Sequence, residues 1–253
     1  MLRNALREYC YRDKEVFYTR RLGHNKLYVC NNSILKEFSA TIPGHRREYD
    51  ILNKLKHPNI IKPLDQFYDK EKFYMVLPFY RKGDVWENTF NKTKTSKNDI
   101  LTTIRKLIKP LTYIHRRGLV HLDVKLENYV ENNLNNYIMI DFEHARWFTK
   151  DYYDQVGLGE RVGTSHYMAP EIHKLRYGPT SDIYSLGRVI YTIICRRYPD
   201  NTDIDWSTLR EKTPELENLI VAMLQPNHRM RPTIFDAARE VNDLIYQSSG
   251  NMK

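Results

Sequence analysis

Cysteine is scarce in this sequence: Cys10, Cys30 and Cys195 are odd in number, far apart and without a C-x-x-C pair. A disulfide framework or a structural zinc site needs paired or clustered thiols, so the pattern argues against both and suits a reducing compartment. Long apolar runs are missing as well. The richest, Leu186 to Cys195, reaches about half a membrane span and carries Arg188, so it reads as a buried helix. The opening residues, Met1 to Glu8, lack the apolar core of a signal peptide. Glycine is thin at 10 residues in 253, and neither an internal repeat nor a low-complexity tract occurs. No run of five or more basic residues occurs either, although the net charge is +9. That excess points to an acidic contact such as nucleotide phosphates, while its even spread argues against direct nucleic-acid binding.

What remains is an ordinary globular balance, 41% hydrophobic and 28% charged, with length enough for one large two-lobed domain around a buried core. Residues 15–38 alternate in strand fashion through Val16-Phe17-Tyr18, Leu27-Tyr28-Val29 and Ile34 to Phe38. Turn residues at Gly23-His24-Asn25 and Asn31-Asn32-Ser33 separate them, which predicts an antiparallel meander. Within 44–56, Tyr49, Ile51, Leu52 and Leu55 recur at helical spacing, ahead of His57-Pro58. Two more strands are expected at Ile60–Phe67 and Lys72–Leu77, then a hinge over Pro78–Gly83 and an exposed polar connector over Asn88–Asp99. From Ile100 to Ile114 the apolar residues share one helical face, with a kink expected at Pro110, which lacks a backbone donor. Later helices are expected at 182–195, 215–224 and 233–246. Strands first and helices afterwards is the α+β order.

The most informative stretch is His121-Leu122-Asp123-Val124-Lys125-Leu126-Glu127-Asn128, followed by Asp141-Phe142 and by Ala169-Pro170-Glu171. Taken together it resembles the catalytic core of a eukaryotic-type serine/threonine protein kinase, over roughly residues 15–246. Phosphoryl transfer needs a carboxylate to orient the attacking hydroxyl, a cation on the γ-phosphate and oxygen ligands for Mg²⁺. The resemblance assigns these to Asp123, to Lys125, and to Asn128 with Asp141. It makes Lys36 the lysine on the α- and β-phosphates of ATP, with Glu48 as its ion-pair partner. Leu77 precedes the adenine hinge, Pro78 and Tyr80 offer backbone groups to adenine, Asp84 approaches the ribose, and Val130 forms the floor beneath the base. Gly23 is the phosphate-loop glycine, and Thr164 hydrogen-bonds near Asp123 and Lys125. Glu171 pairs with Arg231, and Asp182 holds the catalytic loop by its backbone.

The implied fold is bilobal: an N-terminal extension at 1–14, a lobe of antiparallel strands and one helix at 15–77, a hinge at 78–84 and a mainly helical lobe at 85–253, with the activation segment at 141–171. Three departures stand out. The stretch Tyr18–Lys26 holds a single glycine, so Arg20, Arg21, His24 or Lys26 is expected to help with phosphate. Leu122 replaces the arginine that normally answers an activation-loop phosphate, which predicts activity independent of that phosphorylation. Glu143 stands where the metal motif has glycine; its Cβ restricts the backbone, so less flipping of Asp141-Phe142 is expected, and a second carboxylate there is tolerable if it faces outward.

The function implied is an ATP- and Mg²⁺-dependent serine/threonine kinase. The alternatives are a pseudokinase scaffold with weak nucleotide binding and a small-molecule kinase, the latter opposed by Ala169-Pro170-Glu171. The compact chain also resembles the small kinases of large DNA viruses, baculoviruses in particular. That likeness implies action in the host cell on an arginine-rich DNA-packaging protein, with Asp84 and Glu127 receiving substrate arginines, although the +9 charge does not fit such a target. No membrane partner is expected, and the oligomeric state stays open.

Overall fold

The computed structural model describes residues 16–22, 25–30, 32–90, 96–197, 204, 206, 207 and 213–250. A five-stranded sheet of order β1-β2-β3-β5-β4 leads the chain: β1 Val16–Leu22, β2 Asn25–Cys30, β3 Ser33–Ser39, β4 Asp65–Asp69 and β5 Lys72–Pro78. Every pairing in it is antiparallel, as the meander pattern predicts. Alternation along β3 splits its side chains between two faces. Leu35 packs with Val76, Tyr28 and Phe67 on one side, and Glu37 on that side takes hydroxyls from Tyr28 and Tyr74. Lys36 and Phe38 therefore face the other way, toward helix α1 (Arg47–Lys54), whose Ile51 and Leu52 join Phe38, Phe73 and Met75 in the main core.

The helix α1 ends where His57-Pro58 cannot continue it, with Leu55 already extended. The strand expected from Ile60 begins only at Asp65. Pro63 supplies no ladder donor, and Ile60 makes an isolated parallel bridge to Met139 instead. The polar connector expected over 88–99 is corrected at 88–90, which are helical, while 91–95 lie outside the described residues. Val85–Phe90 forms a short helix, α2, opened by the Asp84 carboxylate accepting from Glu87 N–H at 2.9 Å. Val85 and Thr89 are buried, and Trp86 stacks on Phe90 at 4.2 Å between ring centroids.

Helix α3 (Lys97–Arg116) starts at a reciprocal cap between Ser96 and Asp99 and runs through Pro110 without ending there. Its stripe from Ile100 to Ile114 is buried. Two-residue strands β6 (Leu119–Val120) and β9 (Arg146–Trp147) pair across the catalytic stretch, and a hairpin of β7 (Tyr129–Glu131) and β8 (Tyr137–Met139) lies between them in sequence. Strands β10 (Val156–Gly157) and β11 (Arg176–Tyr177) flank the short helix α4 (Pro170–His173). Helix α5 (Pro179–Cys195) is buried on nearly every face, as its apolar sequence predicts. Gly187 lets it meet α6 (Pro214–Met223): a Cβ there would lie 2.9 Å from Met223 Cβ. Helix α7 (Ile234–Gly250) packs along α3. The α+β, two-lobed expectation holds.

Candidate active site

Lys36 projects from the inner face of β3 with 3% of its surface exposed. Its Nζ lies 2.7 Å from Glu48 Oε2, 2.9 Å from Asp141 Oδ1 and 3.3 Å from Glu143 Oε2. Burial works against the ammonium, but the charges of Asp141, Glu48 and Glu143 outweigh it and hold the lysine pKa above its usual value. The second oxygen of Glu48 accepts Phe142 N–H at 3.0 Å, which ties α1 to the segment carrying Asp141. Burial is also the main reason that the Glu48 pKa is raised, with Asp141 and Glu143 adding to it against the pull of Lys36. Asp141 is held below the ordinary carboxylate value because Lys36 outweighs its burial. The outward-facing condition set for the Glu143 carboxylate is not met. Arg47 Nη2 and Arg146 Nη1 hold its carbonyl at 3.1 and 3.3 Å, and its side chain turns in toward Lys36.

Asp123, with 6% of its surface exposed, receives donors on both oxygens. Thr164 gives its N–H and its hydroxyl to Oδ1, each at 2.8 Å. Asn128 Nδ2 and Lys125 Nζ reach Oδ2 at the same distance, 2.8 Å. Lys125 Nζ also donates to Thr164 Oγ1 at 2.7 Å. Burial alone would raise the Asp123 pKa; the Lys125 charge, with the Thr164 hydrogen bond, outweighs it and holds the carboxyl below its usual range. An anionic carboxylate so held is suited to orient a hydroxyl proton and to accept it late in a transfer.

The β7–β8 hairpin brings the two halves together. Its register pairs Tyr129 with Met139, so Asn128 and Ile140 fall opposite each other, and Ile140 N–H donates to the Asn128 carbonyl at 2.9 Å. Asp141 is the next residue, at a backbone φ of +59°. Asn128 spends both amide hydrogens on Asp123, one on the side chain and one on the carbonyl at 2.8 Å. Its oxygen is thereby the atom left for a cation, and Asp141, which follows the paired Ile140, keeps its second carboxylate oxygen without a hydrogen bond among the described residues. Two hard oxygen donors at the mouth of this hairpin fit Mg²⁺.

At the nucleotide end, Leu77 and Val130 belong to the same core cluster, and Asp84 bridges antiparallel to Val130. Residues 78–84 and the β7 strand are thus bonded to each other. Pro78 closes β5 against Ser33, Phe79 N–H is taken by the Asn32 carbonyl at 2.9 Å, and Gly83 N–H turns back to the Tyr80 carbonyl at 3.1 Å. Asp84 caps α2 with one oxygen. Gly23 and His24 lie outside the described residues, as do the side chains of Arg20 and Arg21.

The supporting residues were legible in part: Asp182 was expected to hold the backbone of the stretch at 121–122, whereas His115 and Ser181 were not singled out. Asp182, fully buried, accepts the backbone N–H groups of His121 and Leu122 and a ring nitrogen of His115, each at 2.8 Å. His115 has no local signature and is found only through this carboxylate. Gly163, at a φ of +93°, is required because a Cβ would collide with the Leu122 carbonyl oxygen. Its place beside Thr164 was the available signal. Ser181 donates to Glu171 Oε1 at 2.8 Å, completing the pair with Arg231.

The family described as the protein kinase domain matches residues 15–242. Among similar proteins, calcium/calmodulin-dependent protein kinase cmkA of Emericella nidulans is 29% identical over 211 residues, covering 76% of this chain and 50% of that protein. NUAK family SNF1-like kinase 1 of Mus musculus is 31% identical over 205 residues, covering 76% of this chain and 30% of its own length. A CaM kinase-like vesicle-associated protein of Danio rerio is 26% identical over 205 residues, covering 78% and 44%. The chain thus spans half or less of these relatives, and none of the three is viral.

Proposed function

Because the chain belongs to the protein kinase domain family, we propose that it is an ATP- and Mg²⁺-dependent protein serine/threonine kinase. It moves the γ-phosphoryl group of ATP to seryl or threonyl hydroxyls of protein substrates. The observation that carries this reading is the Asp123 carboxylate, held by Asn128, Lys125 and Thr164 at 2.8 Å. In this reading residues 15–77 form the nucleotide-covering lobe, 78–84 the hinge and 85–253 the substrate lobe, with 141–171 as the activation segment.

Each residue has a task set by its surroundings. Asp123 orients the attacking hydroxyl, and Lys125 lies beside it to offset charge on the group in transfer. Asn128 and Asp141 would hold Mg²⁺, which neutralises phosphate charge and fixes the triphosphate in line. Lys36, positioned by Glu48, takes the α- and β-phosphates. Leu77, Pro78, Tyr80 and Val130 enclose adenine, and Asp84 stands near the ribose. Gly23 covers the phosphates.

Activity does not require activation-loop phosphorylation. Leu122 supports this: it is 6% exposed within an apolar cluster of Val120, Phe148, Val162, Ala169, Ile172 and Tyr177. Packing there joins the catalytic loop to the activation segment without a phosphate and its arginine.

The substrate is a basic, arginine-containing protein. Glu127 Oε2 is buried with no hydrogen-bond partner among the described residues. Burial, with the nearby charges of Asp84 and Asp123 adding to it, lifts the Glu127 pKa. A guanidinium between Asp84 and Glu127 would satisfy both carboxylates. The enzyme acts inside a cell, in cytoplasm or nucleus; no helix among the described residues is long and apolar enough to cross a membrane. A scaffold reading is favoured only by Glu143 and the glycine-poor loop. Labelled phosphate transfer to basic Ser/Thr peptides decides between them: wild type transfers and Lys36→Met does not, whereas transfer by neither supports the scaffold.

A further inference from the structure

Lys36 has three ammonium protons and three carboxylates around it, Glu48 Oε2 at 2.7 Å, Asp141 Oδ1 at 2.9 Å and Glu143 Oε2 at 3.3 Å. It hydrogen-bonds Glu48 and Asp141, and Glu143 Oε2 adds an ion-pair contact, so a phosphate oxygen approaching the ammonium competes with that carboxylate. The three carboxylate oxygens lie within 4.8 Å of one another, and the one ammonium faces all three. We propose that Glu143 is a positioning residue that withholds the Lys36 ammonium from nucleotide phosphates until a divalent cation offsets the acidic cluster. Nucleotide binding by this chain is then tightly coupled to metal. The inference rests on the kinase reading of the site and specifies how its nucleotide affinity is regulated.

Of the three partners, Glu143 is the one placed to leave. Glu48 is buried and also holds Phe142 N–H, whereas the Glu143 side chain is 39% exposed. Its backbone is pinned by Arg47 and Arg146, so the exchange involves the side chain alone. A glycine at this position would remove that competing carboxylate from the ammonium and leave only Glu48 and Asp141 beside it. Metal-free nucleotide meets both obstacles at once, a lysine already engaged and a net negative wall. A divalent cation removes the second and draws Glu143 from the first.

The test is calorimetric titration of the chain with ADP and with a non-hydrolysable ATP analogue, in EDTA and at saturating Mg²⁺. Glu143→Gln and Glu143→Gly are compared with wild type after thermal melts show all three folded. We expect both variants to bind metal-free nucleotide about tenfold more tightly than wild type, with a much smaller change when Mg²⁺ is present. The ratio of the two dissociation constants falls accordingly. An unchanged ratio, or weaker metal-free binding in the variants, overturns the inference. Wild type that binds nucleotide in neither condition overturns the kinase reading as well, so the two failures are told apart.

Discussion

Arg231 grips Glu171 through two parallel hydrogen bonds, Nη1 to Oε1 at 2.7 Å and Nη2 to Oε2 at 2.8 Å, with only 1% of the arginine exposed. The arginine also donates to the carbonyls of Gln225, Thr180 and Pro226. It therefore joins α4, the start of α5 and the loop after α6. Losing one partner strands a buried charge, so Arg231→Ala should cost about 3–5 kcal/mol of stability, read by denaturant unfolding. The double change Arg231→Met with Glu171→Leu should lie closer to wild type than either single change.

The same pair sets an acid limit. Burial would raise the Glu171 pKa, but the Arg231 hydrogen bonds and charge outweigh it and hold it below the ordinary value. A carboxyl depressed in the folded state stabilises above its unfolded pKa, and that contribution is lost as pH falls through the folded value. Glu171→Gln should therefore be less stable at neutral pH and lose less stability on acidification. Equal slopes of stability against acid pH in both proteins would contradict this.

Leu122 carries the prediction about regulation. Thr149→Ala with Ser165→Ala should leave transfer activity near wild type, since neither supplies a charge that Leu122 could answer. Loss of activity with the fold intact would contradict it. Leu122→Ala should instead cost about 2–5 kcal/mol through the cavity left in its cluster.

Thr164 donates twice to Asp123 and receives Lys125. Removing its hydroxyl withdraws a hydrogen bond to a charged acceptor, worth about 1.5–3 kcal/mol, or about ten- to hundredfold in kcat. Thr164→Ala should show that loss with KM for ATP nearly unchanged, and Thr164→Ser should recover most of it. A loss that appears only in KM would place the hydroxyl elsewhere in the reaction.

Asp84 and Glu127 should govern peptide choice. Glu127→Gln is expected to raise KM for arginine-containing peptides while leaving kcat alone, and to matter little for peptides without arginine. A preference for acidic residues before the phosphoacceptor would end the basic-substrate assignment.

Much of this site was legible in the sequence because its chemistry depends on short spacings. Asp123, Lys125 and Asn128 sit within six residues, and the structure gathers them on one carboxylate. Lys36 and Glu48 were paired in advance by the family resemblance of the run from Glu48 to Asn59, and the structure brings them to 2.7 Å. The less legible parts depend on partners remote in the chain. Glu143 looked harmless facing outward; only the folded position of Lys36 and the anchoring by Arg47 turn it inward. The β7–β8 hairpin has strands of three residues each, too short for a periodic signal, yet it brings Asn128 beside Asp141. Helix α2 was hidden by its shortness: six residues are too few for a helical period, though Val85, Trp86 and Phe90 pack on the core. Pro63 shortened the fourth strand, as a missing donor should.

The central claim is that Asp123 directs phosphoryl transfer to a protein hydroxyl. It is tested most directly by single-turnover transfer of labelled phosphate from ATP to an arginine-containing serine peptide with Mg²⁺, wild type against Asp123→Asn. The account predicts a fall of about 10²–10⁴ in the transfer rate, with nucleotide binding by the variant retained. Equal rates in the two proteins, or no transfer by wild type above the variant, would contradict it.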